Sequence, residues 1–477
     1  MFASRVRRLT PFAVLVIAAS ACARNGAQVT DPVRSVSPDD PFLDTVQVRT
    51  FRWFWDTTDP ATGLTPDRWP SRTFSSIAAI GFGLSSYIVG AERGYVARDD
   101  AATRTLATLR YLWQLPQGAA STGVAGYHGF FYHFLDLGTG LRYQTVELST
   151  IDTGLLLMGV LSSQQYFGGT SPTEISIRAY ADSIYRRVDW RWAVNHPPAL
   201  SMGWHPENGF LDADWIGYNE GSFLYVLALG SPTSPLDSTA WDRWTSGYQW
   251  LTYYGQPHVN FAPLFGHQYT QCWIDMRGIQ DAYMRSKGID YFENSRRATL
   301  AQRAYATANP QGWLDYGADV WGLTAVDGPK DTSAVWNGRS RQFFSYSARG
   351  AAANEVRDDG TLGPTAAGGS MPFAPEIALP ALKAMRARYG GAVFNDHGFV
   401  DAFNPSYRFG GALPAGRIAV DTGWFDTDQL GIDQGPILLM IENYRTGLLW
   451  RLMRGSPYIQ TGLRRAGFTG GWLDAAR

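Results

Sequence analysis

Residues 73–90 read TFSSIAAIGFGLSSYIVG, and this stretch is the strongest guide to the fold class. It is apolar almost all the way round a helix and ends at a glycine, where helices commonly stop. A helix that is apolar on every side is a buried helix. The stretch therefore predicts a helix packed inside the protein.

Helical patterns recur on both sides of this stretch. Upstream, residues 43–55 carry apolar side chains at approximately helical spacing, and downstream Leu106, Leu109 and Trp113 repeat at i, i+3 and i+7. Residues 171–174 form a capping box with proline at the first helical position, which predicts a helix to about Trp190. Further helices are predicted to begin near Glu147, Tyr218, Asp237, Gln268, Asp290, Pro375 and Gln434.

About twelve helices in one chain favour an all-α fold, an (α/α)6 toroid. Long polar-aromatic loops separate the helices at 191–217, 310–345 and 404–432. The regular strand–helix alternation that a parallel sheet needs is absent. An open superhelix is the alternative, but it would show a repeat of about 20 to 50 residues, and none is found. In a toroid the loops would gather at one rim and wall a central cleft.

Composition limits the functions that are open to the chain. Its 477 residues include 41 Lys and Arg against 42 Asp and Glu, a net charge of -1, which argues against binding nucleic acid through phosphate contacts. Charged residues make up 17%, below the usual ~25%, while aromatic residues reach 14%. The chain can therefore bury a large core and still line a cleft with rings.

The N-terminus has the pattern of an export signal. Three arginines within the first eight residues precede an apolar stretch at 12–19, and small residues at 19–21 form a cleavage site. We predict a signal peptide at 1–21 and a periplasmic or membrane-anchored protein. Cys22 fits a lipoprotein acceptor, although an ordinary cut would leave the same N-terminus.

After the signal, the chain divides into two parts. Residues 22–41 are polar and rich in Ser, Pro and Asp, so we predict a flexible tether there and a folded domain at 42–477. No later segment is apolar enough to span a membrane. Cys272, the second cysteine, is expected to be a buried thiol.

Familiar catalytic motifs are missing from the sequence. There is no Walker loop, G-x-G-x-x-G, H-E-x-x-H, G-x-S-x-G or paired-cysteine motif, so nucleotide, zinc and serine-hydrolase chemistry lose their usual support. We expect no cofactor and no metal.

Acidic residues beside aromatic residues and glycines are plentiful instead. They occur at 204–209, 218–221, 273–277 and 423–426, and aromatic residues stand beside glycines again at 265–269 and 321–324. Sugar rings stack on aromatic side chains, and their hydroxyls pair with carboxylates. Hydrolysis of a glycosidic bond needs two carboxyl groups, one protonated and one ionised. These patterns predict an exported carbohydrate enzyme or binding protein.

Each candidate acid also has a purely structural explanation. Glu220 opens an apolar helix, where its negative charge would interact favourably with the helix dipole. Glu147 could be another N-terminal helix acid. Asp152 lies beside Ile151 and Leu155, where an unpaired carboxylate is costly to bury, so it either faces a polar cleft or pairs with a base. The histidines at 128, 205 and 267 could act as catalysts, but hydrogen-bonding roles are more common.

Several of these stretches carry a family resemblance. They are 147–153, 218–220, 227–232, 265–269, 273–275, 290–295, 321–325 with 327–329, 423–426 and 431–436. The sequence resembles the glucoamylase-like domain of exported bacterial proteins, whose characterised members include endo-β-1,2-glucanases of glycoside hydrolase family 144. The resemblance covers roughly residue 42 to the C-terminus, and its motifs are specific when taken together.

The resemblance implies an (α/α)6 barrel, a sugar substrate and inverting, endo-acting hydrolysis of a β-glucan. It makes Glu220 the general acid, and Glu147 or Asp152 the base, acting directly or through water. The predicted substrate-binding residues are Trp204, Glu207, Tyr218, His267, Trp273, Asp275, Arg277, Trp321, Asp327, Trp424 and Asp433. The expected partner is a glucan oligosaccharide or polysaccharide, and the protein is expected to be a monomer.

Other functions remain open on the same barrel. Related domains occur in cyclic glucan synthases, so a transglycosylase is one alternative. A non-catalytic sugar-binding lipoprotein is another. A polysaccharide lyase would instead use Tyr and His and release unsaturated ends that absorb in the ultraviolet.

Overall fold

A computed structural model describes residues 36–419 and 421–475. The predicted signal peptide, Cys22 and most of the predicted tether lie outside these residues. Within them, no helix is both long and apolar enough to cross a membrane.

The described residues form sixteen α-helices. They are α1 (Pro41–Thr57), α2 (Ile77–Glu92), α3 (Arg98–Gln114), α4 (Thr150–Tyr166), α5 (Pro172–Arg187), α6 (Ser222–Gly230), α7 (Thr239–Thr245), α8 (Phe265–Trp273), α9 (Ala282–Lys287), α10 (Tyr291–Ala308), α11 (Pro364–Gly368), α12 (Pro375–Tyr389), α13 (Gly431–Arg445), α14 (Leu448–Arg454), α15 (Pro457–Arg465) and α16 (Gly471–Ala475). A 3-10 turn follows α12 at Gly390–Ala392.

Short strands lie between the helices and pair only in antiparallel sheets of two or three strands. They are β1 (Arg68–Trp69), β2 (Ser75–Ser76), β3 (Gly126–Tyr127), β4 (Phe130–Phe131), β5 (Phe134–Leu135), β6 (Leu148–Ser149), β7 (Gly203–His205), β8 (Gly209–Phe210), β9 (Trp250–Tyr253), β10 (Gln256–Val259), β11 (Ala325–Val326), β12 (Thr332–Trp336), β13 (Arg339–Phe343), β14 (Ser347–Ala348), β15 (Gly350–Ala351), β16 (Val356–Arg357), β17 (Phe394–Asn395), β18 (Gly398–Phe399), β19 (Phe403–Asn404), β20 (Arg417–Ala419), β21 (Gly423–Phe425) and β22 (Gln429–Leu430).

Six helices form a closed inner ring in the order α2, α4, α6, α8, α11 and α13. Glycines allow α4 and α13, the helices on either side of α2, to approach α2 closely. A Cβ atom at Gly81 would lie 2.3 Å from the carbonyl oxygen of Leu155 in α4, and one at Gly435 in α13 would lie 2.1 Å from the ring of Phe82. The helix predicted at 73–90 is therefore part of the inner ring and is buried on nearly every side.

Hydrogen bonds join other neighbours in this ring. The hydroxyls of Ser222 in α6 and Thr270 in α8 are 2.6 Å apart. The Gln268 amide in α8 donates to the carbonyl oxygen of Ala366 in α11 at 2.8 Å. These bonds close the ring where the helices are short.

A second layer of helices surrounds the ring. Helix α1 packs on α2 and α13, α3 on α2, α5 on α4, α10 on α8, and α12 on α11. The place outside α6 is taken by the C-terminal α15, where a Cβ atom at Gly462 would lie 2.0 Å from the carbonyl oxygen of Val226. The molecule is an (α/α)6 barrel, and the predicted fold class is confirmed.

Several inner helices begin later than the sequence predicts because short strands precede them. Helix α4 begins at Thr150 rather than near Glu147, since Leu148 and Ser149 pair with β7 as strand β6. Likewise α2 begins at Ile77, after strand β2. The predicted N-cap of α5 is confirmed, because the Ser171 hydroxyl accepts from the Glu174 amide at 3.2 Å, but the Glu174 side chain accepts from the Gly169 amide rather than from that of Ser171. Cys272 in α8 is a buried free thiol, as predicted.

Candidate active site

The three predicted catalytic carboxyls lie at the N-terminal end of the inner ring. Glu220 comes two residues before α6, and Asp152 is in the first turn of α4. Glu147 directly precedes β6, which pairs with β7. Because α4 and α6 are neighbours in the ring, the fold brings residues 147–152 and Glu220 together.

Glu220 has the environment of a protonated acid. Burial raises the pKa of its carboxyl, a backbone N–H lowers it, and the nearby Asp152 raises it further, to about 7 in total. The Thr270 hydroxyl donates to the Glu220 carbonyl oxygen at 3.2 Å and anchors the turn that carries the side chain. A carboxyl of this kind holds its proton near neutral pH and can donate it.

His133, which the sequence did not single out, bridges the other two carboxyls. Its Nδ1 lies 2.7 Å from Glu147 Oε1, and its Nε2 lies 3.5 Å from Asp152 Oδ2. Burial alone would lower the pKa of His133, but Asp152, Glu147 and Asp67 outweigh that effect and raise it to about 9. The ring is therefore an imidazolium at neutral pH.

His133 favours the ionised form of Glu147. Burial alone would raise the pKa of Glu147, but the hydrogen bond and the charge of His133 lower it below its usual value. The Asp152 carboxylate also accepts from the Ser149 hydroxyl at 2.5 Å. The Glu147 side chain is 30% exposed, whereas that of Asp152 is nearly buried. This pair can accept a proton while Glu220 supplies one.

A second group of acids contains the predicted residues Asp327 and Asp433, joined by Asp401 and Asp426. Burial, reinforced by neighbouring carboxylates, raises the pKa of Asp401 and Asp426 well above the usual value. Burial also raises that of Asp433, to about 8. Arg68 Nη1 donates to Asp327 Oδ2 at 2.6 Å. Protonated carboxyls can donate hydrogen bonds to sugar oxygens as well as accept them.

Three of these acids could also hold a cation. One oxygen from each of Asp327, Asp401 and Asp426 lies within 4.8 Å of the others. The raised pKa values of Asp401 and Asp426 show that protons can balance the crowded charge instead. The sequence did not indicate that Asp327, Asp401 and Asp426 meet, because they lie in separate loops. Contacts such as the Asp327 amide donating to Asp401 Oδ2 at 2.7 Å bring them together.

Trp204 and Glu207 lie on the β7–β8 hairpin beside Glu147. Leu148, the next residue after Glu147, pairs with Trp204 across β6 and β7. Glu207 accepts from Arg142 Nη1 at 2.7 Å and from Nη2 at 3.1 Å. These two predicted substrate-binding residues therefore form a wall next to the Glu147 end of the site.

Two predicted substrate-binding residues lie behind Glu220. Tyr218 and His267 are both buried, with ring centroids 4.9 Å apart. Burial lowers the pKa of His267 to about 3, so the ring is neutral, and its Nε2 hydrogen-bonds the Phe261 carbonyl oxygen at 3.1 Å. Both side chains pack among buried neighbours, and their contact with substrate stays a prediction.

The predicted tryptophan platforms at 321 and 424 are also core residues. Both side chains are 0% exposed and belong to one apolar cluster. Trp424 in β21 donates from Nε1 to the Ala415 carbonyl oxygen at 3.0 Å. Both rings pack in the core beside the loops that carry Asp327 and Asp426, and their contact with a sugar stays a prediction.

Trp273, Asp275 and Arg277 lie at and after the C-terminal end of α8. Trp273 ends α8 and donates to the hydroxyl of Ser85 in α2. The buried Asp275 forms ion pairs with Arg277 and with Arg454 of α14. These contacts give the three residues structural partners, and their role in substrate binding stays a prediction.

A family model described as "Glycoamylase: Putative glucoamylase" matches residues 212–457. A curated protein of *Parabacteroides distasonis*, named exo β-1,2-glucooligosaccharide sophorohydrolase (non-reducing end), is 28% identical over 92% of this chain. The chain spans 60% of the length of that relative.

Solved structures of similar chains share the fold. The crystal structure called a putative glucoamylase from *Bacteroides uniformis* is 32% identical, with a TM-score of 0.78 over 92% of this chain and 100% of that one. The endo-β-1,2-glucanase from *Chitinophaga pinensis*, in complex with sophorotriose and glucose, is 28% identical, with a TM-score of 0.77 over 92% of this chain and 100% of that one.

Proposed function

The chain belongs to the Glycoamylase family, and on that premise we propose that it is a glycoside hydrolase that cleaves β-1,2-linked glucan. The observation that carries the proposal is the pairing of unlike carboxyls: Glu220 is protonated near neutral pH, and Glu147 is ionised. Glycosidic hydrolysis needs this combination. The names of the *Chitinophaga* and *Parabacteroides* relatives support β-1,2-glucan as the substrate.

In the proposed mechanism, Glu220 donates its proton to the glycosidic oxygen as the bond to the anomeric carbon breaks. A water molecule attacks that carbon from the opposite face, and Glu147 or Asp152 takes the water proton, directly or through a second water. The anomeric configuration inverts. Each turnover leaves Glu220 ionised and the base protonated, and proton exchange with solvent restores both.

We propose endo action, which yields oligosaccharides of several lengths. The name of the Chitinophaga relative, an endo-β-1,2-glucanase, supports endo action. Exo action would instead release one short product from the start of the reaction.

The test is to incubate the purified domain with defined β-1,2-, β-1,3-, β-1,4- and α-1,4-glucans and to separate the products. We expect cleavage of the β-1,2-glucan alone, with mixed product lengths at early times. Products longer than the substrate would indicate transglycosylation, and ultraviolet-absorbing ends would indicate a lyase. Binding without any product would indicate a sugar-binding protein and would refute the hydrolase.

We also propose that the protein is exported and anchored to the membrane through lipidated Cys22, as a monomer in which the segment between Cys22 and the folded domain is a tether. The sequence pattern around residues 1–22 supports this proposal. Expression of the full chain should place it in the membrane fraction, and Cys22→Ser should release it. A wild-type protein found only in the soluble fraction would refute the anchor.

A further inference from the structure

His133 is the charged group around which the Glu147 side of the site is arranged. The imidazole joins two carboxyls from different elements: Glu147, from the segment before β6, and Asp152, from α4. Its ring lies on Phe134, with centroids 3.9 Å apart and planes at 23°. The imidazole is thus held from three directions.

The backbone around His133 is fixed as firmly as its ring. Its amide donates to the Glu147 carbonyl oxygen at 2.9 Å, and its own carbonyl accepts from the Ile77 amide at 3.2 Å, at the start of α2. His133 is therefore tied to two inner helices, α2 and α4, and to the loop that carries Glu147. The position of the imidazole is therefore set by these contacts.

The charges that face His133 are almost all negative. Glu147 and Asp152 contact the ring, and Asp67, from the segment before β1, acts on it from a third element. Arg68 pairs with Asp67 at 3.2 Å and with Asp327 at 2.6 Å. His205 lies near Glu147. Each ring nitrogen of His133 has a carboxyl oxygen as its nearest partner, and only a charged imidazole carries an N–H on both nitrogens, because neutral imidazole has one N–H.

We propose that His133 is a positioning residue that, as an imidazolium, holds Glu147 and Asp152 together on the side of the site that faces Glu220. It does not touch the reacting atoms; it fixes the orientation of the base and keeps the base deprotonated at the pH where Glu220 is still protonated. This inference rests on the proposed function, because it assigns a role within the same reaction.

The test variant is His133→Gln, which keeps a neutral donor but removes the charge. An opposite charge in contact lowers a carboxyl pKa by roughly one unit or more. The acid limb of the kcat/KM profile should therefore shift to higher pH by about one unit or more. The kcat at the optimum should fall at least ~10-fold, with KM changed little.

His196→Gln is the matched control. His196 also forms an ion pair, with Nδ1 2.9 Å from Asp214 Oδ2, but its side chain is 58% exposed and contacts neither Glu147 nor Asp152. The pH profile of kcat/KM for His196→Gln should match that of the wild type. A loss of rate in His133→Gln with an unmoved acid limb would mean a purely structural role and would overturn the proposal.

A second measurement does not require the His133 variant to fold. In the wild type labelled with ¹⁵N-histidine, NMR should show His133 as an imidazolium well above pH 7, and Glu147→Gln should lower the pH at which it loses its proton. A neutral His133 at pH 7 in the wild type would overturn the proposal. If the wild type cleaves no β-1,2-glucan, the proposed function fails, while this titration still decides the charge of His133.

Discussion

Glu220 is the residue on which the proposed chemistry depends most. Replacing it in Glu220→Gln removes the donated proton but keeps the size of the side chain, so kcat should fall by a factor of about 100 or more. The measurement is the initial rate of glucan cleavage, with circular dichroism to show that the fold is intact.

Glu293→Gln is the control for Glu220→Gln. Glu293 is in the first turn of α10 and pairs with Arg297 at 2.8 Å, so it is an acid with the helix-terminal role that could also explain Glu220. The Glu293→Gln variant should lose almost no activity. Near-normal turnover in Glu220→Gln would contradict the assignment of Glu220 as the acid.

The pKa shifts also predict the pH dependence of the wild type. Glu220 acts in its protonated form, and its pKa is about 7, so kcat/KM should fall as the pH rises through about 7. Glu147 acts in its ionised form, and its pKa is lowered, so the acid limb should lie below pH 4.5, the usual value for Glu. In Glu147→Gln the position of the acid limb of kcat/KM should change, while the alkaline limb should stay at the pH seen in the wild type. An alkaline limb that persists in a residually active Glu220→Gln would contradict this assignment.

At the scale of elements, the close crossing of α2 and α4 should be the part of the barrel least tolerant of added volume. Gly81→Ala would place a Cβ atom 2.3 Å from a backbone oxygen, which cannot move aside without separating the helices. We expect it to lower the free energy of unfolding by about 3 kcal/mol or more, or to prevent folding. Denaturant unfolding measures the change.

Gly83→Ala, in the same helix, is the matched control. The nearest atom to its Cβ would be the Thr65 hydroxyl oxygen at 3.2 Å, which is a side-chain atom and can shift slightly. Alanine also gains up to about 1 kcal/mol over glycine in helix propensity, so the change should be nearly neutral. Equal losses in the two variants would contradict the packing argument.

The longer helices could be predicted from the sequence, whereas the strands could not. Helix periodicity is a local property, so α1–α5, α10, α12 and α13 follow from the spacing of nearby residues. Strand β6 is two residues long and exists only because Trp204 and Gly203 pair with it. Helix α11 has five residues, PTAAG, and no local pattern identifies it as a member of the inner ring.

At the scale of the whole molecule, the sequence could not say which end of the barrel each motif occupies. The family resemblance grouped Glu147, Asp152 and Glu220, and the structure shows that each precedes or opens an inner helix. Asp275 is also an acid beside an aromatic residue, but it follows the C-terminal end of α8. His133 gave no local signal, because its role comes from contacts with Glu147 and Asp152, which lie 14 and 19 residues farther along the chain.

The measurement that tests the central claim most directly is proton NMR of β-1,2-glucan during the first minutes after the wild-type protein is added. We predict new reducing-end signals, with the α-anomer appearing first and the β-anomer growing in later as the product equilibrates. A β-anomer as the first product would contradict inversion. The absence of any new reducing ends from a folded wild-type protein would contradict the hydrolase itself.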